Sequence, residues 1–193
     1  MRVLEGDPRE WPGPTGPGTA VTIGNFDGVH LGHQTVLADL AERASALGGL
    51  PRAVLTFDPH PVAVMAPEHA PRLLTSIDQR IEILDYLGVD TVGVLPFERV
   101  RMMNPEQFVC DVLARGLGAR VVAVGSNFRF GHDRVGDVES LRAGGMTFGF
   151  DVDVVPLLEG EGPVSSSGIR TMISTGAVDE ARQALGRAFE LRG

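Results

Sequence analysis

His30 and His33 stand three residues apart in the stretch VTIGNFDGVHLGHQ (21–34), with Gly32 between them. A spacing of i and i+3 puts both side chains on one face of a helix start. Gly24 and Gly28 break the apolar run ahead of them, letting the backbone turn sharply and come close to a ligand. A helix N-terminus presents unpaired N–H groups and the positive end of the peptide dipole, and both attract phosphate. Two imidazoles at such a point could donate hydrogen bonds to phosphate oxygens as charge develops on them. The same residues also fit a tight turn with a helix cap and solvent-facing histidines. The spacing suits a zinc pair as well, but no third ligand motif stands nearby.

A second polar group is SSSGIR (165–170). Three hydroxyls ahead of a helix, with Arg170 one turn inside, make another anion cradle. N-capping by Ser166 or Ser167 explains one serine but not three with an arginine. FDPHP (57–61) leaves a strand through Pro59 and Pro61, which stiffen the exit and expose Asp58 and His60; a plain rigid turn fits equally well. GSNFRFG (125–131) offers Asn127 for sugar or base contacts, Arg129 for charge, and Phe128 or Phe130 for stacking on a flat ring. The alternative there is a loop anchored by buried phenylalanines.

The elements that must position these groups read as alternating strands and helices. AVTIG (20–24), AVLTF (53–57), TVGVLPF (91–97), RVVAVG (120–125) and FDVDVVPLL (150–158) read as strands, and most of them are continuous β-branched runs without polar alternation. Between them, Val36, Leu37, Leu40, Ala44 and Leu47 keep helical spacing up to Gly48–Gly49. Ser76 with Gln79 predicts a capping box for IDQRIEILDYLG, and Asn104, Pro105 and Gln107 open PEQFVCDVLARGLG. SSSGIRTMISTG and VDEARQALGR read as closing helices, residues 6–19 as an irregular lead-in, and 60–75 as a looser segment. This pattern predicts an α/β fold with a parallel sheet covered on both faces. The informative loops 24–33, 58–61, 125–137 and 159–167 all follow strands, so they gather on the carboxyl rim where such sheets bind ligands.

Composition narrows the chemistry. The chain has 193 residues and a formal net charge of −8, which disfavours a nucleic-acid partner. All 17 basic residues are arginine, so lysine chemistry is excluded and a phosphate must be held by backbone N–H groups, histidines, hydroxyls or arginines. Cys110 is the single cysteine, sits in a predicted amphipathic helix and reads as a core thiol. No apolar run approaches the ~18 residues of a membrane span, and the first 17 residues lack a signal-peptide core. The expectation is a cytoplasmic protein with no membrane partner. There is no G-x-G-x-x-G after the first strand, no Walker A, no H-E-x-x-H and no G-x-S-x-G.

In order along the chain, GNFDGVHLGH resembles the H-x-G-H signature of the nucleotidyltransferase superfamily, in the form carried by prokaryotic FAD synthetases. SSSGIR resembles the closing S-S-T-x-I-R motif of that superfamily. LTFDPHP, PEQFV and VGSNFRFGHDRVGD resemble stretches particular to the FAD synthetase branch, and the likeness covers residues 21–193. The resemblance implies a Rossmann-like H-x-G-H fold that transfers AMP from ATP to FMN, giving FAD and pyrophosphate by direct attack of the FMN phosphate. It implies that His30, His33 and Arg170 are catalytic. Gly24, Asn25, Phe26, Asp27, Gly28, Gly125, Asn127, Ser165, Ser166 and Ser167 would bind ATP. Pro59, His60, Pro61, Phe128 and Arg129 would border the flavin. Magnesium would arrive with ATP, bridged by phosphate oxygens and water, with no protein ligand assigned.

Three positions depart from the family pattern. Ser167 stands for a usual threonine, Gly168 for a larger residue, and Met65 falls where an aromatic often lines the flavin pocket. Two other readings therefore stand beside the first: a transferase using CTP or another phosphorylated acceptor, and a flavin- or nucleotide-binding module without turnover. Bifunctional relatives continue into a β-barrel riboflavin kinase domain after a stretch like LGRAFELRG. Residues 1–187 are therefore expected to form the adenylyltransferase domain and 188–193 the start of a linker, either as the first domain of a longer protein that could carry the kinase activity or as a stand-alone enzyme.

Overall fold

The apolar runs form one sheet in the computed structural model, which describes residues 1–155 and 164–192. Its strands are β1 (Arg2–Leu4), β2 (Thr19–Ile23), β3 (Arg52–Asp58), β4 (Thr91–Pro96), β5 (Ala119–Gly125) and β6 (Asp151–Val155). They lie in the order β1-β4-β3-β2-β5-β6, and every neighbouring pair is parallel.

Successive side chains of a strand point to opposite faces, and here both faces are buried. Val21, Ile23, Ala53, Leu55, Val122 and Val124 pack on one side with Phe108, Val112 and Leu141. Ala20, Val54, Val92, Val121 and Ala123 pack on the other with Leu37, Leu40 and Leu84. This two-sided burial explains why the four inner strands, β2 to β5, lack polar alternation, and it gives the expected α/β class.

The covering helices begin where the sequence marks them. Helix α1 (Leu31–Ala46) ends before Gly48 and Gly49, both in the left-handed region. Helix α2 (Pro61–Met65) falls in the looser segment, and α3 (Ile77–Tyr86) starts with the expected Ser76/Gln79 capping box. A short α4 (Phe97–Val100) takes over at Phe97, one residue inside the predicted strand. An Asn104/Gln107 capping box opens α5 (Pro105–Gln107), which continues as a π-helical stretch, Phe108–Gly116, that carries the half-buried Cys110.

Strand β1 and helix α6 (Val138–Phe148), like the short α2 and α4, lie outside the predicted pattern. Strand β1 is too short to show periodicity, and it is held at the sheet edge beside β4. The lead-in behind it is anchored by Trp11, a core residue whose indole Nε1 donates to the Glu5 carbonyl at 2.9 Å. Helix α6 is masked in the sequence by Gly144 and Gly145. Packing requires both glycines. A Cβ on Gly144 would meet Val109 at 2.8 Å, and one on Gly145 would collide with the Phe150 carbonyl. Helices α7 (Ser166–Ser174) and α8 (Val178–Leu185) close the chain. The last residues of the predicted strand 150–158, and the first of the rim loop 159–167, lie outside the described residues.

From β2 the chain steps to β3 and then β4 on one side, whereas β5 and β6 lie on the other. The strand order reverses between β2 and β5, and sheets of this kind generally bind ligands beyond the carboxyl ends of the strands at such a point. The turn after β2 and the loop after β5 flank it.

Candidate active site

The turn between β2 and α1 is tightly constrained. Phe26 (φ 49°), Gly28 (φ 83°) and Val29 (φ 40°) all have left-handed backbone. For the two non-glycines that conformation costs about 1–3 kcal/mol each and survives only where surroundings over-determine it. Here they do. Phe26 and Val29 are buried, and the Val29 N–H donates to the Phe26 carbonyl at 3.1 Å. The Gly28 N–H donates to Thr75 Oγ1 at 3.0 Å, and the Arg187 guanidinium donates to the Gly28 carbonyl at 2.8 Å. Gln34 Nε2 bridges the Val29 and Leu185 carbonyls.

Asp27 is the junction. Its carboxylate is 1% exposed and accepts from the Leu74 and Thr75 N–H groups, from Thr75 Oγ1 and from Arg170 at 2.5 Å. Its carbonyl accepts from Ser166 Oγ at 2.9 Å. One residue thus ties the histidine turn to the start of α7, and the two polar clusters of the sequence meet. Ser165 caps α7 by accepting from the Gly168 N–H at 3.0 Å. Ser167 is exposed. Arg170 also donates through Nε to the Arg72 carbonyl at 2.7 Å.

His30 is the residue before α1, and its ring stacks on that of His33 with centroids 3.8 Å apart. Phe26 packs against His33 at 4.8 Å. Both Nδ1 atoms are buried without a hydrogen-bond partner among the described residues. Burial pushes the His30 imidazole down to about 4, with Asp27 pulling the other way. Burial, then His30 and Arg80, hold His33 well below its usual range. Both rings are therefore neutral at pH 7, and each keeps one N–H and one lone pair.

The unfolded chain binds protons at these histidines near pH 6.5, whereas the folded His30 does so only near pH 4. Stability contributed by the neutral pair is full above pH 6.5 and is lost as pH falls from there toward 4. Urea midpoints measured across that interval should therefore fall more steeply for the wild type than for a His30→Gln/His33→Gln double variant. Parallel curves would contradict the assignment.

Gly32 has a packing reason to be glycine. A Cβ there would lie 3.1 Å from His30 Cε1 and 3.2 Å from its Nδ1. The residue is inside α1, where alanine suits the backbone. Gly32→Ala should leave the thermal midpoint unchanged or higher while displacing the His30 ring, with a drop in turnover of about 10-fold or more. A variant with full turnover would show that the ring position is unimportant.

The remaining expected residues flank the same rim. His60 caps α2, with Nδ1 accepting from the Val62 N–H, and its Nε2 lies 3.3 Å from Asn25 Nδ2, which links the loop after β3 to the histidine turn. Pro59 is exposed and Pro61 starts α2. Gly125 ends β5, and Asn127 and Arg129 are exposed beyond it. Phe130 is buried in the core, while the half-buried Phe128 stacks on it with centroids 5.4 Å apart. A core-anchored loop and an available ring face therefore coexist there.

Sequence reasoning missed Thr75, Arg80 and Arg187. Arg80 had a legible signal. It falls on the apolar stripe of α3, three residues after Ile77 and four before Leu84, where a charge is out of place. Thr75 and Arg187 carry none, because their partners, Asp27 and Gly28, are distant in sequence.

With that geometry, the likeness to known proteins is specific. A family model described as FAD synthetase matches residues 14–168. The chain belongs to the FAD synthetase family. A bifunctional riboflavin kinase/FMN adenylyltransferase of Pseudomonas fluorescens is 41% identical over 182 residues, covering 93% of this chain and 58% of that protein. Its namesake in Escherichia coli K12 is 35% identical over 178 residues, covering 91% and 56%. This FAD synthetase family chain thus spans little more than half the length of these relatives. A solved structure described as a macrolide-efflux protein of Streptococcus pneumoniae superposes with a TM-score of 0.79 at 26% identity, covering 98% of this chain and 61% of that one. Among the described residues, no helix is long and apolar enough to cross a membrane.

Proposed function

We propose that this chain transfers AMP from ATP to FMN, giving FAD and pyrophosphate in the cytoplasm. The observation that carries the reading is the Asp27 junction, which joins the histidine turn to the serine–arginine helix in a chain of the FAD synthetase family. An FMN phosphate oxygen forms a bond to the α-phosphorus of ATP. The bond from that phosphorus to the bridging oxygen breaks, and its electron pair leaves with pyrophosphate. No covalent enzyme intermediate is needed, so the protein contributes alignment and charge stabilisation.

His30 and His33 offer N–H groups to the α-phosphate and the departing pyrophosphate, and negative charge there raises their affinity for a proton. Ser165, Ser166, Ser167 and Arg170 hold the β- and γ-phosphates. Residues 24–28, Gly125 and Asn127 shape the nucleoside pocket, and Pro59, His60, Pro61, Phe128 and Arg129 border the flavin. The Asp27 carboxylate is already filled by N–H and O–H donors, so magnesium would be held by phosphate oxygens and water and would neutralise part of their charge. Residues 1–187 make the transfer unit and 188–193 start a linker, of which Glu190 and Arg192 contact Gln79 and Glu82 of α3.

Incubation with FMN, magnesium and either ATP or CTP, with FAD followed by chromatography, tests this reading. ATP-dependent FAD formation with stoichiometric pyrophosphate is expected. Absence of FAD, or a preference for CTP, would overturn it.

A further inference from the structure

Arg80 is a buried cation with an incomplete set of partners. It is 3% exposed. One guanidinium nitrogen donates to Thr56 Oγ1 at 2.9 Å and reaches the Phe57 carbonyl at 3.4 Å. The other stands 3.8 Å from Asp27 Oδ1, beyond a hydrogen bond, and Nε has no partner among the described residues. Asp27 meanwhile holds Arg170 at 2.5 Å. Two arginines thus face one carboxylate, one engaged and one standing off, and this buried cluster carries a surplus positive charge. Of its other neighbours, the Asp58 carboxylate offsets that charge only in part. His30 and His33 are neutral, His60 is also pushed down by burial, and Asp58 is exposed to solvent. A buried charge that is only partly compensated is costly, which favours an anionic ligand.

We propose that Arg80 is a positioning residue of the phosphate site, the standing counter-charge that takes over Asp27 when Arg170 exchanges that carboxylate for the phosphates of a nucleotide. The inference rests on the phosphate-binding role of Arg170 given above. Without Arg80, releasing Arg170 would leave Asp27 buried as an anion beside the incoming polyanion. Arg80 also reaches the histidine turn by a second route, since Thr56 Oγ1 donates to the Asn25 carbonyl at 2.8 Å.

Binding of ATP and of adenosine, each alone, is measured by calorimetry on the wild type, Arg80→Gln and Arg80→Lys. ATP affinity should fall at least tenfold in Arg80→Gln and return to within about threefold in Arg80→Lys, with adenosine affinity unchanged throughout. Equal losses for ATP and adenosine would indicate a collapsed pocket and overturn the proposal, as would full ATP affinity in Arg80→Gln. A measurement on the wild type guards against a variant that does not fold. In nitrogen-15-labelled protein, the Nε–H resonances of both Arg80 and Arg170 should shift with ATP and not with adenosine. A shift of Arg170 alone removes the handover. Wild-type protein that binds no ATP refutes the nucleotide reading itself, a distinct outcome.

Discussion

Truncating either stacked histidine, His30→Ala or His33→Ala, is expected to lower kcat for FAD formation by about 10²- to 10³-fold, with KM for ATP within about threefold of the wild type. The asymmetry follows from the state of the rings. Burial keeps both neutral at pH 7, and each has a buried Nδ1 without a partner among the described residues. Their contribution grows only as charge accumulates on the α-phosphate and leaving group, so it belongs to the transition state. Because the rings stack at 3.8 Å, removing one also unseats the other, and the double variant should lose less than the product of the single losses. Steady-state kinetics with ATP varied at saturating FMN decides the matter. A raised KM with unchanged kcat would assign the histidines to ground-state binding instead.

Asp27→Ala is expected to destabilise the fold by about 3–5 kcal/mol, a large share of the ~5–15 kcal/mol available to a domain. The alanine strands two N–H groups, at Leu74 and Thr75, and leaves Arg80 and Arg170 facing each other without a carboxylate. Asp27→Asn retains an acceptor for the backbone donors and should lose roughly half as much. Urea denaturation of the two variants and the wild type measures this. A loss below about 1 kcal/mol for the alanine variant would mean that the junction is dispensable to the fold.

The legible and the hidden parts of this molecule divide by range. The five longer strands and the capped helices were readable because their signals are local: β-branched runs, capping boxes at Ser76 and Asn104, and paired glycines after α1. Strand β1 and helix α6 escaped for equally local reasons. Three residues carry no periodicity, and Gly144–Gly145 reads as a breaker although Val109 and Phe150 leave no room for a Cβ. At the site, the histidine pair and the serine–arginine cluster announced themselves by type and spacing, as did the rim on which they lie.

What the sequence determined by itself is the α/β class, the carboxyl-rim location and the two polar clusters, because strand pattern and helix starts depend on neighbours a few residues away. Tertiary structure alone decided how those clusters meet. Asp27 grips Leu74 and Thr75, 47 and 48 residues away, Ser166 at 139 and Arg170 at 143. It also decided that both histidines are neutral and that Arg80 lies buried beside Asp27 and Thr56. Burial and charge balance are set by which distant segments close over a group, and no stretch of neighbouring residues encodes that.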